Sequence, residues 1–134
     1  MRAPKNAWIN HVKHEDTPWG SVEIWSSGNF FHGKLINLEA GKRTSLKYHK
    51  VKNEFFFLMS GRVLVSFGCS RTLENSNKYP WEERILVPGD VFNVQSECPY
   101  RFKALEDSKL IEIGDKMDDA PIRLEDDYGR VNAK

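Results

Sequence analysis

Between Gly41 and Gly61 the chain reads G-K-R-T-S-L-K-Y-H-K-V-K-N-E-F-F-F-L-M-S-G, with a lysine, a histidine and a glutamate at fixed spacing inside two glycines. On a strand, successive side chains alternate faces, so Lys47 and His49 point the same way. Glu54 opens the next run, from which it can meet them across a sheet. That arrangement puts a cation, an imidazole and a carboxylate in one pocket.

Short β-rich runs divided by turn signals extend from Trp19 to Gly114. Ser21 to Trp25 alternates polar with apolar, Ser26 to Asn29 turns the chain, and Phe30 to Leu38 makes a second strand. Arg43 to His49, Glu54 to Met59 and Val63 to Phe67 follow, then a long hairpin loop over residues 69–82. Ile85 to Val87 leads into Pro88-Gly89-Asp90, a turn in which proline and glycine each have a backbone reason to stand. Val91 to Gln95, Tyr100 to Ala104 and Leu110 to Ile113 complete the set. Many short strands with no amphipathic helical window predict an all-β barrel or sandwich, since closure removes exposed edges.

If Glu54 faces inward, so do Phe56 and Leu58, which leaves Phe55, Phe57 and Met59 on the other face. Three large apolar groups sit poorly in water, so either an N-terminal arm covers them or a second copy of the chain does. The reading divides the chain into an arm over residues 1–17, a domain over 18–130 and a tail over 131–134, with a helical turn near Arg123-Leu124-Glu125-Asp126.

At 134 residues the chain fits one domain, and twenty basic against nineteen acidic side chains leave a net charge of +1. Nothing there points to nucleic acid or a membrane surface as partner. No apolar stretch reaches spanning length, and the first residues lack the apolar core of a signal peptide. Cys69 and Cys98 sit in no C-x-x-C arrangement and are expected as free thiols, small hydrophobes in a reducing cytoplasm.

Three blocks resemble a known family. They are Pro18-Trp19-Gly20-Ser21 with Glu23, the Gly41–Gly61 segment, and Arg123-Leu124-Glu125-Asp126-Asp127-Tyr128-Gly129-Arg130. The spacing G-x5-K-x-H-x4-E-x6-G is the first cupin signature with one ligand exchanged. The region from Pro18 to Arg130 is similar to the C-terminal cupin domain of type II phosphomannose isomerases, often fused to a mannose-1-phosphate guanylyltransferase. The resemblance implies a double-stranded β-helix, a jelly-roll barrel with the site inside. It also implies a divalent ion such as zinc, manganese or cobalt, held at positions 47, 49 and 54 with a later histidine. His49 and Glu54 match that ligand set. Lys47 stands where the family has glutamine, and Tyr100 where it has histidine. The second signature is worn: Gly89 survives, while Gln95, Glu97 and Ala104 replace proline, glycine and asparagine.

These exchanges change the chemistry. An ammonium at position 47 donates hydrogen bonds only and carries the wrong sign for a metal site. A tyrosine ligates as phenolate, against a reference pKa near 10. Together the exchanges argue against tight zinc, and Lys47 is expected to pair with Glu54 where the ion would sit. Three readings of the pocket remain open. His49 and Glu54 anchor a metal while Lys47 or Tyr100 shuttles a proton, as in an aldose–ketose isomerase. Alternatively, Lys47, His49 and Tyr100 act without metal, in the manner of the dTDP-sugar epimerases, where a His base and a Tyr acid stand on opposite walls. Finally, the cavity binds a sugar, or nothing, and the trio is structural. Lys34, which shares a strand face with His32, is a candidate for holding a phosphate. So are Arg43, Arg123 and Arg130. The sequence therefore predicts a cytoplasmic, homodimeric cupin that acts on or binds a sugar phosphate or nucleotide sugar in polysaccharide metabolism.

Overall fold

The period-two burial of the runs fixes how the chain is laid down. A computed structural model describes residues 2–25, 31–115 and 120–132, and no helix occurs among them. The strands are β1 (Lys13–Thr17), β2 (Gly20–Ile24), β3 (Phe31–Leu38), β4 (Leu46–Tyr48), β5 (Glu54–Ser60) and β6 (Val63–Phe67). They continue with β7 (Glu82–Leu86), β8 (Val91–Val94), β9 (Tyr100–Ala104), β10 (Ser108–Asp115) and β11 (Ile122–Glu125). Six form one antiparallel sheet in the order β1-β2-β3-β10-β5-β8, and five form a second in the order β11-β4-β9-β6-β7. The two sheets enclose the core, and the fold is the all-β cupin jelly roll.

Alternation decides which side chains enter that core. Along β5, Phe56 and Leu58 are buried while Phe55 and Met59 are 41% and 46% exposed. Leu110 joins them from the neighbouring strand β10, and Val63 and Val65 of β6 with Phe102 and Ala104 of β9 meet them from the facing sheet. An aromatic group closes the floor, with Phe56 edge-on to Phe102 at 4.8 Å and Phe92 5.8 Å from Tyr100. Such edge-to-face contacts add to the burial of apolar area.

Pro88 and Gly89 turn the chain as expected: Gly89 takes a φ of 99°, and Asp90 accepts the Val87 N–H at 2.9 Å. The expected turn at Ser26–Asn29, residue Phe30 and the last two tail residues lie outside the described residues.

Two expectations are corrected. The segment at Arg123–Asp126 is no helical turn: Ile122–Glu125 runs antiparallel to β4, with Arg123 opposite Lys47. β4 is only three residues long, and its open backbone groups take a partner more readily than a four-residue segment with three charges closes an isolated helical turn. The arm does not cover the outward face of β5 either. Its last five residues form β1 at the far edge of the sheet, and Trp8 and Ile9 before it are exposed.

Candidate functional site

Register brings the chemistry together. Lys47 of β4 lies opposite Tyr100 of β9 on one side and Arg123 of β11 on the other. In the facing sheet, Glu112 of β10 lies opposite Lys34 of β3 and Phe56 of β5. Residues opposite one another share a face, so both rows point into the barrel. They line a cavity of about 220 Å3, together with His49, Lys52, Glu54 and Arg130.

Glu54 is the hub of this cavity. Its Oε1 accepts the Tyr100 hydroxyl at 2.7 Å and lies 3.4 Å from His49 Nε2. Its Oε2 lies 3.3 Å from Lys52 Nζ and 3.9 Å from His32 Nε2. Glu112 Oε2 stands 2.7 Å from His32 Nε2 and 3.6 Å from Lys34 Nζ. Lys47 does not make the ion pair expected of it. Its ammonium rides over the Tyr100 ring, 4.8 Å from the centroid, a cation–π contact that follows from their cross-strand position. The lysine against Glu54 is Lys52, which reaches in from the loop before β5.

Burial and crowding set the protons. Burial pushes the Glu54 carboxyl above its usual range, and the Glu112 charge pushes it further. Burial acts the same way on Glu112, but the His32 bond and the Lys34 and Lys52 charges outweigh it and bring the carboxyl down to about 2. Two neighbouring carboxyls pushed in opposite directions are suited to different proton roles. Burial lowers Lys47 to about 8, against the attraction of Glu54 and Glu112. Burial, with those same two carboxylates, holds the Tyr100 phenol well above its ordinary value.

The donor set does not fit the metal position of the first cupin signature. Of its four places, Lys47 offers an ammonium, and Tyr100 offers a firmly held proton already given to Glu54. That leaves His49 and Glu54. A different trio, His32, Glu54 and Glu112, brings one ligand atom from each within 4.8 Å of the others and could hold a cation. An ion there would compete with the Lys52 ammonium and with the His32–Glu112 bond.

The remaining candidates divide. Lys34, Arg123 and Arg130 line the cavity, and Arg43 does not. Arg43 instead holds Asp127 through two bonds, Nε at 2.6 Å and Nη2 at 2.7 Å, which fastens the tail. Arg130 grips Asp126 in the same forked way while still facing the cavity. Arg123 Nε is buried with no hydrogen-bond partner. His49 and Tyr100 both reach Glu54 Oε1, so they converge on one oxygen and do not face each other from opposite walls. The sequence reading missed Glu112 and Lys52. Glu112 was readable as a charge two places from Leu110, on the inward phase of an apolar strand. Lys52 lies in a loop, where no periodicity could have pointed to it.

The two-sheet jelly roll is the cupin fold, and solved structures bear it out. KdgF from Halomonas sp. superposes with a TM-score of 0.65 at 19% identity, over 78% of this chain and 86% of that one. The capsular polysaccharide assembling protein CapF from Staphylococcus aureus gives 0.71 at 15% identity, over 88% of this chain and 33% of its own. Bacillus subtilis oxalate decarboxylase, a protein with Mn(II) centres, gives 0.71 at 16% identity over 90% and 34%. The chain thus spans about a third of the last two proteins. At such identities the likeness establishes the fold and no activity. No protein-family model matches the chain, and no curated protein matches it. Among the described residues no helix is long and apolar enough to cross a membrane.

Proposed function

We propose that the barrel cavity binds a phosphorylated monosaccharide, as a cupin of carbohydrate metabolism similar to the sugar-phosphate isomerases. The observation that carries this reading is the unpartnered Arg123 Nε, buried in a wall that also holds Lys34, Lys47, Lys52 and Arg130, with Glu54 and Glu112 facing them and Asp126 paired to Arg130. A buried N–H without an acceptor is costly. A phosphate or sugar-acid oxygen would satisfy it and offset the surplus positive charge. Size narrows the ligand further. At about 220 Å3 the cavity falls below the roughly 300–1,000 Å3 that drug-sized ligands occupy, so it suits one sugar ring and leaves a nucleotide outside. That CapF is a capsular polysaccharide assembling protein agrees with a carbohydrate role for this fold.

The proton chemistry favours Lys47 over Tyr100 as the group that moves a proton between adjacent sugar carbons. An amine near 8 is neutral often enough to accept a proton at physiological pH, whereas the phenol gives its proton up reluctantly. Glu54, with its raised pKa, is the acid beside it, and Glu112 stays charged to hold Lys34 and His32. This scheme requires no metal step. The second reading is a cupin that binds without turnover, favoured by the two ligand positions that carry Lys47 and Tyr100. We place the protein in the cytoplasm as a homodimer. The outward side chains Phe31, Phe55, Met59 and Val91 share one face of the six-stranded sheet, and this reading buries them against a second copy.

Titrating hexose 6-phosphates against the metal-stripped protein tests both readings. Binding should raise the melting temperature, and NMR of the mixture should show aldose–ketose interconversion in the presence of a chelator. Binding without interconversion leaves the non-catalytic cupin. Loss of binding on chelation, or none at all, would sink the phosphate reading.

A further inference from the structure

The ladder between β6 and β9 pairs residues whose numbers sum to a constant, from Val63 opposite Ala104 to Phe67 opposite Tyr100. Past the strand ends the pairing continues, because the Gly68 N–H bonds the Pro99 carbonyl at 3.0 Å. Extended one step further, the same register would set Cys69 opposite Cys98, just before the chain leaves the ladder at Glu97, whose N–H bonds the His49 carbonyl at 2.6 Å. The hydrogen-bond phase defines that position. Leu105 N–H to Arg62 O and Gly68 N–H to Pro99 O mark hydrogen-bonded pairs at alternate positions, so Cys69 and Cys98 fall on a non-hydrogen-bonded pair. In such pairs the Cα atoms approach to about 4.5 Å and the side chains are closest, within the 4.4–6.8 Å span that a disulfide accepts. The backbone agrees, since neither cysteine N–H is turned to the other strand. Cys69 N–H goes to Thr72 Oγ1 at 2.9 Å, and Cys98 N–H goes to Gln95 O at 3.3 Å. Both residues line one cleft of about 750 Å3, along with Phe67, Phe92 and Asn93.

We propose that Cys69 and Cys98 are a redox pair that closes reversibly into a cross-strand disulfide at the mouth of this cleft, with Cys69 as the attacking thiol. The two sulfurs have unequal surroundings. Cys69 is exposed, and its sulfur accepts the Arg71 N–H at 3.4 Å and the Thr72 hydroxyl at 3.6 Å, contacts that favour thiolate. Cys98 packs against the core and is held in its thiol form by burial, then by the nearness of Cys69. An exposed, stabilised thiolate beside a sheltered partner is the arrangement that thiol–disulfide exchange uses. The oxidant is a low-molecular-weight disulfide such as oxidised glutathione. Cys69 thiolate attacks one of its sulfurs and forms a mixed disulfide, releasing one thiolate. Cys98 then gives up its proton and attacks the Cys69 sulfur, forming the internal bond and releasing the second thiolate. Two protein thiols are oxidised, one small disulfide is reduced to two thiols, and the protons pass to them. In a reducing compartment such a bond is transient and follows the redox state.

The test uses the full chain, reduced, desalted and mixed with oxidised glutathione, and read by intact mass and by thiol titration. The expected product is a monomer lighter by two hydrogens, with both of its two thiols lost, no glutathione retained, and full reversal by dithiothreitol. Cys98→Ser should stop at a stable glutathione adduct on Cys69, and Cys69→Ser should lose most of the reactivity. A persistent adduct on the unmutated chain, a disulfide-linked dimer on a non-reducing gel, or two thiols still titratable would each overturn the proposal. No sugar is present in this experiment, so its outcome is independent of the cavity's ligand.

Discussion

Lys47 carries a charge into a wall where burial brings its pKa from 10.5 to about 8. Between those two values the unfolded chain binds more protons than the folded one, so this group makes stability rise with pH across that window. Below pH 8 both states are protonated and the full penalty of burying the charge stands. Lys47→Met should therefore stabilise the protein at pH 7 by about 1–3 kcal/mol while abolishing sugar-phosphate binding. The stability gain should shrink as pH rises above 8. Urea unfolding of both proteins at pH 7 and pH 10 checks the sign, and a gain that persists at the higher pH would show another cause. Tyr100→Phe tests the neighbouring bond. It removes the donor at 2.7 Å from a buried carboxyl and should cost about 1–3 kcal/mol, read from the same unfolding curves.

The short strand β4 depends on what pairs with it. β11 supplies one side, and it carries Arg123 to the cavity, so fastening of the tail and formation of the site are one structural event. Of the three arginines expected as phosphate candidates, Arg43 and Arg123 should part. Arg43 and Asp127 are both well exposed, and such pairs contribute about 1 kcal/mol at most. Arg43→Ala should leave ligand affinity within about twofold. Arg123→Ala removes a buried donor aimed at the ligand and should weaken binding by tenfold or more, about 1.4 kcal/mol, with little loss of melting temperature. Calorimetric titration of the two variants distinguishes them, and equal losses would move the phosphate away from Arg123.

At the scale of the whole molecule, the outward face of the six-stranded sheet presents apolar side chains to solvent. Phe31 is 75% exposed, and Phe55, Met59 and Val91 extend the same apolar surface. If a second copy covers this face, sedimentation should show a concentration-dependent dimer, and Phe55→Asp should give a folded monomer. A monomer at all concentrations would leave the face to another partner. Of the four edge strands, β1 and β7 are charge-rich, which discourages open-ended pairing there, whereas β8 (Val91–Val94) carries no charged residue.

The residue pattern alone narrowed the fold to an all-β barrel or sandwich, because alternation with period two and the Pro88-Gly89 turn put Phe56, Leu58, Val63 and Val65 on buried faces of short strands. It also determined that Lys47 and His49 share a face, since parity along a strand is a local property, whereas Glu54 meets them from β5 of the other sheet, which parity does not decide. Partner choice inside the hollow was not local. Lys52 rather than Lys47 reaches Glu54, Glu112 joins from a strand more than fifty residues away in sequence, and Arg43 turns outward to Asp127 while Arg123 turns in. These outcomes depend on cross-strand register and on distances of a few ångströms, which only the folded chain defines. The proposed facing of Cys69 and Cys98 is of the same kind, since it extends a register that runs from Val63 and Ala104 to Phe67 and Tyr100.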